Sequence, residues 1–351
     1  MRTDPLIFPT CPRGRGTLKA NLLQAFGPDH LRFTEVPDPS PGPGEVMIRV
    51  VASGVNPVDY YTVTGMRSVS PMPHIPGVEV AGEVVKVGQG VQGVEPGDRV
   101  VIYPRLFDGT CDLCLAGHEH LCRNGGLYGV SSNGGWAEYA IARATNVFRL
   151  PDSVDWDLAA SIPVAALTSF HALLEAGVVP GDTVVVIGAS GNTGQFAVQL
   201  AKLMGARVLA VTSKGWLKEL GADEVAPLEQ SLEALKRMTG GNRLADVVID
   251  SIGKRTITTS LRLLDRRGKL VTFGALTGEA GLESISDIYS RELRVIGTTG
   301  GTRREMARLL ELASRGLLKV MVWKRLKLSE AREALGLLFS RERDGRIVLR
   351  A

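Results

Sequence analysis

Two textures of hydrophobic patterning divide the chain. From residue 18 to about 150, β-branched residues alternate with polar ones between Pro- and Gly-rich turns, as in PDPSPGPGEVMIRVVASGV and GVEVAGEVVKVGQGVQGVEPGDRVVIY. That period predicts a compact all-β unit whose first strand lies near Leu18–Phe26. From about Ala159 the apolar period lengthens towards that of a helix, and amphipathic stretches alternate with short Val/Ile-rich runs: TVVVIG, FAVQLAKLMGA, RVLAVT, ADVVIDSIG, TTSLRLLDRRG, KLVTFG, RVIGTT. Strand–helix–strand alternation predicts an α/β fold with a doubly wound parallel sheet. The tail reads as helices at Arg304–Ser314 and Ser329–Ser340 and a last strand near Arg346–Leu349. No internal repeat or low-complexity stretch interrupts this order.

Composition narrows the class. A chain of 351 residues has room for two domains or three, and 44% hydrophobic against 22% charged residues is the balance of a folded globular protein. The net charge of +4 is spread along the chain and aromatics are 5%. A nucleic-acid face needs clustered cations and stacking rings, so no nucleic-acid partner is expected. The longest apolar runs, such as the one centred in Asp182–Ala189, are strand-length, which predicts no membrane span. Residues 1–17 lack the apolar segment of a secretory signal and are read as an N-terminal extension, with Cys11 incidental and the protein cytoplasmic. Thirteen Asn plus Gln and a preference for Arg over Lys lean towards a thermophilic source.

After the strand Thr183–Ile187 comes Gly188-Ala189-Ser190-Gly191-Asn192-Thr193-Gly194, running into a helix Gln195–Met204. Glycines there let the backbone approach a pyrophosphate, which then meets free N–H groups at the positive helix end; a dinucleotide site is predicted. The next strand ends at Thr212-Ser213-Lys214, where an NAD-selective site would carry an acidic residue for the ribose hydroxyls. Two hydroxyls and a cation suit a 2′-phosphate instead, so NADP(H) is the expected coenzyme.

Four cysteines are too few for a disulfide framework, and three fall close together. Asp108, Cys111, Cys114 and Cys122 form a closed set of four ligands for one structural zinc, with no open position for chemistry. Within the last spacer, Gly117-His118-Glu119-His120 imitates a metal motif and is read as a solvent-facing loop.

These motifs in this order resemble the medium-chain dehydrogenase/reductase superfamily, over essentially everything from Leu18 to the end. The landmarks are PGPGEVMIRVVASGVNPVD, GVEVAGEVVKVG, GDRVV, DGTCDLCLAGHEHLC, GGWAEYA, LTSFHAL, GASGNTGQFAVQLAK, LGADEV and GRIVL. The resemblance implies a GroES-like catalytic domain (18–162 and 299–351, its zinc lobe about 105–125) and a Rossmann domain (163–298). It also implies a homodimer or homotetramer joined through the RVIGTT edge strand. The family's zinc alcohol dehydrogenases hold a second, catalytic zinc with a Cys, a His and another Cys or acidic residue. Matching positions here are Asn56, Val78 and Val164, of which two have no ligand atom, while Glu79 beside them is kept. GVNPVDYY is similar to the zinc-independent quinone oxidoreductase branch, whose members reduce quinones and activated alkenes with NADPH but usually lack the cysteine lobe.

The resemblance therefore points to an NADPH-dependent reductase of a small-molecule quinone or conjugated enone or enal, enoyl thioesters included. Asn56 and Tyr61 are the expected contacts to the reacting carbonyl. Thr168, Gly253, Phe273, Gly274, Ala275, Thr298, Thr299 and Gly300 are the further coenzyme contacts it implies. The alternatives are an alcohol dehydrogenase with an atypical metal site and a non-catalytic dinucleotide-binding protein. His171 is expected to be a satisfied core histidine, and His74, in a Pro-flanked turn, no metal ligand.

Overall fold

The computed structural model describes residues 16–241, 243–279, 281 and 285–351; Cys11 and residues 1–15 of the expected N-terminal extension lie outside them. Six parallel strands form one sheet, in the order Glu224–Ala226, Arg207–Val211, Thr183–Ile187, Ala245–Ile249, Leu264–Thr272 and Arg294–Gly297. The chain starts in the middle, winds outward one way and returns to wind the other. A doubly wound sheet opens a crevice at that reversal, between Thr183–Ile187 and Ala245–Ile249, at the carboxyl ends of the strands. Every residue of Thr183–Ile187 is buried, as expected of a central strand covered on both faces. Among the described residues, Arg294–Gly297 pairs on one side only and leaves Val295 exposed. This matches the α/β fold class read from the sequence.

The second sheet has seven strands, mostly antiparallel: Val322–Lys327, Arg346–Arg350, Glu45–Gly54, Ala81–Val87, Arg99–Ile102 and Val147–Arg149 in order, with Tyr139–Arg143 also on Glu45–Gly54. The first strand is shorter than its hydrophobic run suggested, Thr17–Leu23, and pairs with Leu31–Pro37. The tail helix is likewise shortened to Ala331–Leu337 behind a single 3-10 turn. Pairing of the last strand decides what meets beneath the crevice. Val348 faces Gly54 and the Val55 amide donates to the Ile347 carbonyl at 3.1 Å, which carries Arg346 alongside Asn56. One large core runs continuously from the seven-stranded sheet into the six-stranded one through the helix Leu167–Glu175. No helix among the described residues is long and apolar enough to cross a membrane.

Candidate functional site

Gly188 through Gly194 turn from the strand Thr183–Ile187 into the helix Gly194–Leu203. Gly188 has φ +66°, and a Cβ on Gly194 would lie 2.5 Å from the Gly188 carbonyl oxygen, so neither accepts a side chain without moving backbone. The result is a close backbone cradle at a helix N-terminus, which fits a pyrophosphate. Asn192 faces away from solvent and ties this loop to the other sheet. Its amide donates to the Val55 carbonyl at 2.8 Å and to Asn56 Oδ1 at 3.0 Å.

At the neighbouring strand end, Thr212 Oγ1 donates to Ser190 Oγ at 2.9 Å and Ser213 is exposed. Lys214 Nζ is not alone: Asp344, from the C-terminal segment, sits 3.7 Å away and also accepts from the Trp216 indole at 2.7 Å. A carboxylate therefore does stand beside Lys214, contributed from far along the chain. Gly253 (φ +88°) follows Ala245–Ile249, where the buried Asp250 accepts from the amides of Ile252 and Gly253 and the hydroxyls of Thr256 and Ser260. Phe273, Gly274 and Ala275 leave the next strand, and Thr298, Thr299 and Gly300 the last. Thr168 is buried on Leu167–Glu175.

Beneath the crevice lies a buried polar cluster. Arg346 and Glu79 form an ion pair with no exposed side-chain surface on either. Glu79 Oε1 accepts from the amides of Val164 and Ala165 at 2.7 and 2.9 Å, and Oε2 from Asn56 Nδ2 at 2.8 Å. Asn56 Oδ1 accepts from Arg346 Nη1 at 2.9 Å and from Asn192, while Nδ2 is also 3.4 Å from the Gly54 carbonyl. Both amide hydrogens of Asn56 are thus engaged inside the protein, and the free N–H expected for a substrate oxygen is committed to Glu79. Gly54 has to be glycine: a Cβ there would lie 2.1 Å from Arg346 Nη2 and 2.4 Å from Glu79 Oε2. Asp59 accepts from the amides of Asn56 at 2.8 Å and Val78 at 3.1 Å. Burial pushes its carboxyl up to about 7, against the lowering pull of those amides and of Arg346. Two carboxyls and one guanidinium share a dry site, so charge balance favours one protonated carboxyl.

Arg346, Arg343 and Asp344 contact the candidate site and were not singled out from the sequence. Arg343 reaches Asn192 Oδ1 and the carbonyls of Leu338 and Gly345, and burial lowers its pKa to about 10. The motif GRIVL contained Arg346, but nothing in a lone arginine ahead of a strand announces burial.

Tyr61 stands on the helix Pro57–Thr64 and is half-buried. Its hydroxyl has no hydrogen-bond partner among the described residues, and burial raises its pKa, partly offset by Arg67, so the phenol keeps its proton at neutral pH.

In the lobe, the ligand atoms of Asp108, Cys111, Cys114 and Cys122 all lie within 4.8 Å of one another. Cys111 and Cys122 sulfurs are 3.9 Å apart, against the ~3.8 Å edge of a tetrahedron of thiolates around zinc. Amides of Thr110 and Cys111 and the Asn124 side chain hold the Asp108 carboxyl well below its ordinary range. Three thiols and an ionised carboxylate at that spacing fit zinc. His120, expected in a solvent-facing loop, is instead buried: its ring meets that of His171 edge to face at 4.7 Å between centroids, because the lobe docks against the helix Leu167–Glu175. His171 Nδ1 meets Glu305 Oε1 at 3.1 Å, and His74 Nε2 meets the Gly129 carbonyl at 2.8 Å.

Residues 42–152 match the alcohol dehydrogenase GroES-like domain family and residues 193–315 the zinc-binding dehydrogenase family. The chain is similar to an NAD-dependent alcohol dehydrogenase of Sulfolobus acidocaldarius, 35% identical over 95% of this chain and 99% of that one. It therefore belongs to the medium-chain dehydrogenase/reductase superfamily of oxidoreductases. Within that superfamily it is also similar to an acryloyl-coenzyme A reductase of Metallosphaera sedula, 31% identical over 90% of this chain and 95% of that one. A thermostable alcohol dehydrogenase from Pyrobaculum aerophilum superposes with a TM-score of 0.89 at 38% identity, covering 95% of this chain and 100% of that one.

Proposed function

We propose that this protein transfers hydride from NADPH to a quinone, or to the β-carbon of a conjugated enone, enal or enoyl thioester, without a metal at the reacting carbonyl. The observation that carries this reading is the Arg346–Glu79 ion pair, bonded to Asn56 and flanked by Val78 and Val164. At the positions where the zinc alcohol dehydrogenases resembled here place metal ligands, this chain has two hydrocarbon side chains and an amide already engaged. The remaining carboxylate is neutralised by a guanidinium. A second cation there would face Arg346 with no thiolate or imidazole to hold it.

Gly188, Gly191 and Gly194 would hold the pyrophosphate, Thr212, Ser213 and Lys214 the 2′-phosphate, and Thr168, Gly253, Phe273–Ala275 and Thr298–Gly300 the remainder. When bound, the reduced nicotinamide supplies the hydride. Hydride on the β-carbon leaves negative charge on the carbonyl oxygen, and Tyr61 supplies a hydrogen bond and then the proton. One hydride and one proton add across the double bond, and solvent restores the phenol. Asn56 acts as a positioning residue, holding the glycine-rich loop through Asn192. Zinc on Asp108, Cys111, Cys114 and Cys122 would fasten the lobe. The one-sided pairing of Arg294–Gly297 supports a homo-oligomer joined through that edge.

The names of the relatives favour a second reading, alcohol oxidation at a metal. NADPH oxidation with a quinone and an enone, and NADP reduction with a primary alcohol, each before and after chelation, separates the two. Chelator-resistant turnover of the conjugated acceptors supports the first reading; chelator-sensitive alcohol oxidation replaces it with the second.

A further inference from the structure

A cleft of about 400 Å³ opens between the loop after the helix Pro57–Thr64, the strand Arg105–Leu106 and the lobe residues Leu127 and Ser131. Two guanidinium groups, of Arg67 and Arg105, line it, and neither forms an ion pair with a carboxylate among the described residues. Arg105 Nη2 donates to Thr299 Oγ1 at 2.5 Å, and its guanidinium lies so close over Gly300 that a Cβ there would be 2.6 Å from Nε. The cleft floor is therefore continuous with the segment proposed to meet the nicotinamide. Its other wall is continuous with the proposed proton donor, since the Arg67 amide donates to the Tyr61 carbonyl at 3.2 Å. Burial lowers the pKa of Arg105, Tyr103 offsets part of that, and the charge of Arg67 adds to the lowering. His120 and Cys122 of the lobe also line the cleft. Two cations lining one cleft repel, and an anion bound there would relieve both the repulsion and the desolvation.

We propose that this cleft binds an oxyanion carried by the conjugated acceptor, with Arg67 and Arg105 determining specificity for an acidic substrate. This rests on the reading of the site as a reductase of conjugated carbonyls and names the substrate class within it. Carboxylate and phosphate share the required chemistry, and a planar guanidinium pair accepts either.

The test uses the zinc-loaded protein with NADPH and three acceptors. One is a methyl enone bearing a carboxyethyl group on its β-carbon, the second its methyl ester, the third the matching phosphonate. The charged compounds should exceed the ester in kcat/KM by about tenfold or more, and the better of the two names the group. Arg67→Gln should remove that advantage, so that acid and phosphonate fall to the kcat/KM that the same variant shows with the ester; Arg67 is exposed, so the fold does not depend on its side chain. Arg105→Gln should act in the same direction. Equal use of acid and ester by the unaltered protein, or an equal loss on both in Arg67→Gln, overturns the proposal. If no enone is reduced at all, the reductase reading fails separately. The cleft is then judged by thermal protection: glutarate should raise the Tm of the unaltered protein and not that of Arg67→Gln, and no difference between them overturns it.

Discussion

Arg346 and Glu79 form a salt bridge from which solvent is wholly excluded. The pair exists because antiparallel pairing of the last strand sets Arg346 beside Asn56, while Gly54 leaves the volume that both side chains occupy. Removing one partner strands the other in a low dielectric. Arg346→Met should lose about 3–5 kcal/mol of unfolding free energy in urea denaturation. The double variant Glu79→Leu with Arg346→Met should recover a substantial part, because a well-packed apolar pair pays no desolvation cost. A double variant no more stable than the single one would show that the hydrogen bonds to Asn56, Val164 and Ala165 matter more than the charges.

Asp59 gives the cluster a pH dependence. Its folded pKa, about 7, lies above the ordinary value of 3.8, so the folded state holds its proton more tightly than the unfolded chain. The resulting stabilisation is complete below about pH 4 and is lost as pH rises through about 7. Asp59→Asn cannot ionise. The Tm of the variant relative to the unaltered protein should therefore rise between about pH 5 and pH 8, whatever the constant cost of the altered hydrogen bonds. A constant offset across that range would place the titration elsewhere.

The lobe should stand or fall with its metal while the reacting carbonyl does not. Cys114→Ser should lower bound zinc from about one per chain towards zero, measured by mass spectrometry of the metal, and should lower Tm. Turnover of an enone, assayed below the new Tm, should remain within about threefold of the unaltered protein, since a closed four-ligand site performs no chemistry.

Asp344 bears on coenzyme choice. It lies 3.7 Å from Lys214 Nζ, the cation expected to meet a 2′-phosphate, and must share it. Asp344→Asn should tighten NADPH by about three- to tenfold, measured by fluorescence titration, and leave NADH nearly unchanged. Lys214→Ala should weaken NADPH selectively. If Asp344→Asn shifts both coenzymes alike, the carboxylate acts only through Trp216 and the fit of the segment.

These residues also mark how far the sequence could be read. The doubly wound sheet, the glycine-rich turn and the clustering of Asp108, Cys111, Cys114 and Cys122 were legible because each rests on local periodicity or short spacing. The second sheet's pairing with residues 346–350 was not, since it joins segments about three hundred positions apart and leaves no local pattern. The consequences were missed with it: Asp344 beside Lys214 and Arg346 under Asn56. His120 failed for a related reason, because its burial depends on the lobe docking against a helix distant in sequence.

In the proposed reaction hydride reaches a conjugated carbon without a metal-held oxygen. Reduction of an enone with NADPH deuterated at the transferring position, on protein carrying zinc only at the lobe, tests it most directly, with the label located in the product by NMR. Deuterium on the β-carbon of a saturated ketone is the predicted result. Deuterium on a carbinol carbon, with the double bond intact, would mean that the carbonyl itself is reduced and would rule out hydride transfer to the conjugated carbon.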